Sequence, residues 1–280
     1  MSSINIKVII VTVLFTIVTL LFPKFANAQD EYRGTIFATT QAGLLNSVEL
    51  PAKNELKMII GHRFGEMSGG LYEFFGLDQA TTELGLDWGA TDWLGIYASR
   101  STWEKTYELN TKLALIRREF GDYQFAATTL LGGSVNTLRD YYPEEEENFW
   151  SRTSLSAQII LAVKRGRFAL QTSPLLFRNN YEIRTDDQLT LFALPVVAGV
   201  NITKRMGILV EYVAIFNKPD FSDINPLTFT IEMDTGGHQF QLLFSSSQGL
   251  THKTILTNNQ GGWAEGSIFF GFNLVRTFYL

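Results

Sequence analysis

The 280-residue sequence has no cysteine, only three histidines and only seven prolines. Without cysteine, a disulfide framework, a thiolate zinc site and a cysteine nucleophile are all excluded. A metal centre needs converging ligands, and His62, His238 and His252 are scattered along the chain, so no metal or other cofactor is expected. Basic residues number 23 against 28 acidic ones, a formal charge of −5. That balance gives none of the basic footprint of a nucleic-acid binder, and nucleic acid is not an expected partner. Helical periodicity is nearly absent. Beyond residue 28 there is also no apolar run near the roughly 20 residues a membrane-spanning helix requires. Any membrane role must therefore fall to strands.

What is present begins with a targeting signal. Lys7 precedes a 15-residue apolar run from Val8 to Phe22, and Ala26 and Ala28 supply small residues ahead of Gln29. This is the layout of a cleaved signal peptide over 1–28, and the run is too short for an anchor helix. Loss of residues 1–28 removes two lysines and no acid, which takes the formal charge from −5 to −7.

The rest of the chain alternates with a period of two, the signature of strands with two unlike faces. Thr82, Leu84, Leu86 and Trp88 share one face of "TTELGLDW", opposite Glu83 and Asp87. Leu227, Phe229, Ile231 and Met233 likewise oppose Thr228, Thr230, Glu232 and Asp234. About twelve such strands can be drawn, the first over 55–65 and the last over 267–280. Their connections alternate in length. Short turns ("GATD", "EFGD", "KRGR", "NITKRMG", "DTGG") face long loops at 66–78, 135–150, 178–187, 218–225 and 247–266. This is the pattern of an outer-membrane barrel with periplasmic turns and extracellular loops.

Charge and aromatics follow the same division. Arg117, Arg118, Lys164, Arg165, Arg167, Lys204 and Arg205 gather at the short turns, whereas acids, including Glu144 to Glu147, gather at the long loops. Trp88 and Trp93 lie beside a short turn, and Trp103, Tyr141, Tyr142, Trp150 and Trp263 beside long loops, as interfacial girdles would.

The expected fold is thus all-β: a single antiparallel transmembrane barrel over 55–280, preceded by a segment, 29–54, that is a leader, a partial lumen plug or an extra strand. An even strand count favours the first two. The last strand must pair with the first, because lipid cannot hydrate a sheet edge. Its outward residues Phe270, Phe272, Leu274 and Phe278, with Tyr279 and Leu280 at the end, have the form of a C-terminal assembly signal. Arg276 interrupts the apolar face close enough to a rim to snorkel.

Several words carry a family resemblance: "HRFG" (62–65), "FGLD" (75–78), "ATDWL" (90–94), "EKTYE" (104–108), "LQTSPLLFRNN" (170–180) and "TGGHQFQLLF" (235–244). Over roughly 35–280 the chain resembles an uncharacterised family of Gram-negative outer-membrane β-barrels known only as a domain of unknown function. The resemblance implies the barrel and brings no substrate, catalytic residue or partner.

Parity assigns to the lumen Lys57, Arg63, Glu83, Asp87, Glu108, Lys112, Gln158, Gln171, Glu211, Glu232, Gln239 and Gln241. Charges of both signs in a confined space fit a narrow pore that filters small polar solutes. They also fit a structural or binding barrel whose loops engage a partner, since twelve strands fall between filled barrels and open channels. An outer-membrane lipid hydrolase is the remote alternative. His62 and Ser68 are its candidates, but no nucleophile and base are pinned together by the sequence, and no enzyme is expected. Outer-membrane lipid and the barrel assembly machinery are the expected partners, with the solute or loop partner unknown. An arginine at Phe229, facing lipid, should cost about 2–4 kcal/mol near midplane, and one at Thr228, facing the lumen, far less.

Overall fold

The computed structural model describes residues 35–139, 148–180, 190–218, 224–259 and 261–280. The wall is built from β1 (Glu55–Glu66), β2 (Ala80–Gly89), β3 (Leu94–Ser101), β4 (Thr106–Phe120), β5 (Tyr123–Asn136), β6 (Thr153–Arg165), β7 (Phe168–Thr172), β8 (Leu175–Asn179), β9 (Thr190–Asn201), β10 (Met206–Ile215), β11 (Leu227–Asp234), β12 (His238–Ser245) and β13 (Phe269–Tyr279). Every neighbouring pair is antiparallel, and β13 pairs with β1 to close the sheet, Leu56 opposite Phe278 and Ile60 opposite Leu274. The thirteen segments fill twelve positions around the ring, because β7 and β8 both lie between β6 and β9. Pro174 causes the split. It has no N–H to give the ladder, and Ser173 N–H instead reaches the carbonyl of Pro195 at 3.0 Å.

Alternation sorts the two faces as a membrane barrel requires. Outward side chains such as Leu84, Leu86, Leu109, Leu155 and Phe192 are half exposed or more, a continuous apolar belt on the outer surface. No helix among the described residues is long and apolar enough to cross a membrane, and strands do the crossing here. On the short-turn rim the guanidinium of Arg165 lies over the ring of Tyr123 at 4.9 Å and that of Arg167 over Phe168 at 5.2 Å. Cation and ring together suit a headgroup interface. Arg117 and Lys164, expected on the same rim, instead turn into the lumen. For Arg117 the cause is a bulge. Leu115 is an extra residue between the pairs Ala114–Thr128 and Ile116–Ala127, so parity flips after it.

The chain ahead of β1 is not part of the wall. Residues 40–47 form a small hairpin inside the barrel, with Ala42 N–H bonded to Leu45 O at 2.7 Å and Ser47 N–H to Thr40 O at 3.1 Å. The chain leaves the lumen and enters β1 through a tight turn. There Glu55 N–H meets Ala52 O at 2.9 Å, and Asn54 takes a φ of 63°. Gly89 is required beside this turn, since a Cβ there would overlap the Ala52 carbonyl.

A second segment enters from the opposite end. The loop between β12 and β13 folds inward and forms α1 (His252–Thr257), capped by Thr251, whose hydroxyl accepts from Thr254 N–H. His252, Thr254, Ile255 and Leu256 of this helix are buried. The acidic run Glu144 to Glu147 and the signal segment 1–28 lie outside the described residues.

Candidate functional site: a filled lumen

All twelve lumen candidates project to the interior, and all but Lys57 and Gln239 are buried. Five of them hold the inserted segment directly. Lys112 reaches three of its carbonyls, at 2.8 Å from Thr40 O, 3.1 Å from Ser47 O and 3.1 Å from Glu49 O. From β10, the Glu211 carboxylate accepts the N–H groups of Leu44 at 2.7 Å and Leu45 at 3.3 Å. Gln171 accepts from Val48 N–H at 2.9 Å and donates to Asn46 O at 3.0 Å. Gln241 donates to Gln41 O at 3.0 Å, and Gln239 to Ala38 O at 2.8 Å.

Two others, Glu232 and Arg63, act one contact away. Glu232 accepts from Gln241 at 2.8 Å. Arg63 donates to Asn273 Oδ1 at 2.9 Å, and Asn273 in turn donates to Gly43 O at 3.0 Å. Glu83 accepts the hydroxyl of Tyr97. Lys57 lies 3.7 Å from Glu55. Asp87 is buried on β2, and Gln158 is buried on β6 with neither amide atom hydrogen-bonded among the described residues.

The tip of the hairpin explains Gly43. Its φ is +109°, and a Cβ would stand 2.9 Å from Thr230 Oγ1 and 3.0 Å from Glu211 Oε2. Only glycine lets the backbone come this near to the carboxylate. Around the tip, Leu44 and Leu45 pack into an apolar cluster with Leu175, Phe177, Leu191 and Val213. Ile36, Phe37, Ala42 and Val48 pack into a second cluster with Ile160, Val197 and Leu209. Glu49 anchors the outer end of the segment, accepting from Ile36 N–H at 2.8 Å and from Arg117 at 2.9 Å.

The inward loop is held differently. His252 Nδ1 lies 2.6 Å from Glu108 Oε1, which also accepts from Asn110 at 2.7 Å. Lys253 lies 2.7 Å from Glu104, and Ile255 and Leu256 join the cluster around Leu44 and Leu45. Hairpin and loop thus meet inside the barrel. Towards the short-turn rim the lumen stays open as a cavity of about 910 Å³, bordered by Thr35, Glu49, Lys57, Arg117, Lys164 and Arg205 among others.

The structure keeps the histidines apart. His62 faces outward, its Nδ1 2.8 Å from Thr82 Oγ1 and its ring stacked on Phe272. His238 begins β12 beside Arg276, and only His252 enters the lumen. Ser68, once a candidate nucleophile beside His62, bonds instead to Glu66 at 2.7 Å. On β13, Phe270, Phe272 and Leu274 face outward and Tyr279 and Leu280 are exposed at the rim, while Arg276 reaches the Gly237 carbonyl at 3.1 Å. The expectation for Thr228 is corrected. It is fully buried with its hydroxyl 2.8 Å from that of Ser245, so an arginine there meets packed protein instead of open lumen.

Sequence reasoning missed Thr128, Arg117, Lys164, Tyr97 and His252 as lumen groups, and it left Asn273, which parity puts on the lumen face, off the candidates. Asn273 and Tyr97 follow strand parity and were legible in principle. Arg117 was hidden by the bulge and His252 by the infolding of its loop.

A family model described as "Membrane bound beta barrel domain (DUF5777)" matches residues 37–278. No relative is found among curated proteins. Among solved structures, the chain is similar to NanC porin, with 8% identity, a TM-score of 0.49, and coverage of 80% of this chain and 99% of that one. KdgM porin is 5% identical, TM-score 0.47, covering 80% and 99%. Outer membrane phospholipase A from Escherichia coli is 11% identical, TM-score 0.47, covering 85% and 98%.

Proposed function

Because the chain belongs to the family of membrane-bound β-barrel domains, we propose that it is a narrow passage for small polar solutes in the outer membrane, closed in this conformation by its inserted segments. One observation carries the reading: what fills the lumen is not wall. The hairpin is attached through a single turn at 52–55, and polar wall side chains grip it. Its removal would leave those side chains lining a bore that continues from the open cavity at the short-turn rim. The short-turn rim is then periplasmic, and residues 1–28 are the export signal. The outer belt meets lipid, and the terminal strand is the segment the barrel assembly machinery would engage. The reading assigns no catalytic step.

The test is single-channel recording in planar bilayers. The full chain should rest closed, and a variant lacking both residues 35–49 and the infolded stretch 250–257 should show steady conductance. Silence from that variant, with a barrel that still migrates differently on a gel when unboiled, would remove the reading.

A further inference from the structure

The grip on the hairpin is directed at its backbone. Within residues 40–49, Lys112, Glu211, Gln171, Gln241, Asn273 and Thr128 bond only to main-chain carbonyls and N–H groups, and Gln241 adds one longer bond of 3.4 Å to the Thr39 hydroxyl. The wall offers both donors and acceptors, as the two polar groups of a peptide unit require. An ammonium gathers carbonyls on one wall, a carboxylate caps two successive N–H groups nearly opposite, and amides between them serve both kinds of group. Side chains are received elsewhere, in two apolar pockets whose wall residues include Phe177, Leu191 and Val213 for one and Ile160, Val197 and Leu209 for the other. Such a surface reads the peptide unit and asks only that neighbouring side chains be apolar. Gln158 adds an unengaged donor and acceptor, 2% exposed on the same interior wall.

We propose that the lumen is a binding site for short peptides with apolar side chains, which the hairpin occupies as an internal stand-in. The proposal rests on the passage reading and names its solute class. A sugar of similar size presents hydroxyls and no backbone carbonyls or N–H groups, and it has nothing to place in the two apolar pockets.

The test uses the full chain with its hairpin displaced by Gly43→Val, which sets a branched side chain against Thr230 and Glu211 at a backbone angle hostile to it. The chain lacks cysteine, so Val48→Cys added to this variant reports displacement by its rate of maleimide labelling. Leu44→Asp with Leu45→Asp is a second route that leaves the wall untouched. Trileucine and maltotriose are the probes, read as block of single-channel current and, separately, as a rise in the temperature at which the unboiled gel form is lost. Trileucine should act at a concentration at least tenfold below maltotriose in both, and Lys112→Met in the opened barrel should weaken trileucine at least tenfold. Equal potency of the two probes overturns the peptide proposal and leaves the passage standing. A labelled, folded barrel that trileucine stabilises but that conducts no current overturns the passage and leaves the binding site.

Discussion

The two segments inside the barrel are held by opposite means. The hairpin at 40–47 is gripped by its main chain, with Ala42, Leu44 and Leu45 serving as apolar filler. The infolded loop is held by its side chains, through His252 on Glu108 and Lys253 on Glu104, and it stabilises its own backbone with a short capped helix. A backbone grip depends little on sequence and is exchangeable with another chain. A side-chain grip is specific to the residues that make it. The first suits a site that changes occupants and the second a lid belonging to one protein.

Substitutions can break this contrast. Lys112→Met should have the largest effect. It strands three carbonyls that a charged donor now serves, and bonds to charged groups contribute about 1.5–3 kcal/mol each without being additive. Hairpin docking should weaken by about 3–5 kcal/mol, read as a rise of more than a hundredfold in maleimide labelling at Val48→Cys. His252→Leu should weaken the loop by about 1–3 kcal/mol. A cysteine at Thr257 should then label faster while the Val48 reporter changes less than tenfold. An equal change at both positions would mean that the two segments dock as one unit, and the contrast would fail. Thr128→Val, which removes one neutral bond of 2.8 Å to Val48 O, should cost about 1 kcal/mol and raise labelling at Val48 less than tenfold.

Strand parity carried most of the fold into the sequence. Each face of each strand meets one environment, so a run such as Leu84-Gly85-Leu86-Asp87-Trp88 states its orientation directly. Turn lengths then state the topology. Parity also identified Lys112, Glu211, Gln171 and Gln241 as interior residues. It could not say what they would meet, because lipid, water and an inserted chain lie outside the strand's own pattern. Lys112, Glu211, Gln171 and Gln241, read as the lining of a pore, are engaged by "TQAGLLNS" (40–47), a stretch too short to announce a hairpin. The loop carrying His252 looks polar and gave no sign of turning inward. A single inserted residue, Leu115, was enough to hide Arg117.

The turn at 52–55 gives the barrel a mechanical property. The N–H of Leu280, the last residue, bonds to Asn54 O at 2.9 Å, within the turn where the lumen segment becomes β1. The seam between first and last strands is therefore fastened at the root of the hairpin. Because Asn54 N–H also bonds to Gly89 O at 2.8 Å, tension on the inserted segment from the short-turn side loads the seam and the β1–β2 pair together, and traction that withdraws the hairpin tests the closure of the barrel itself.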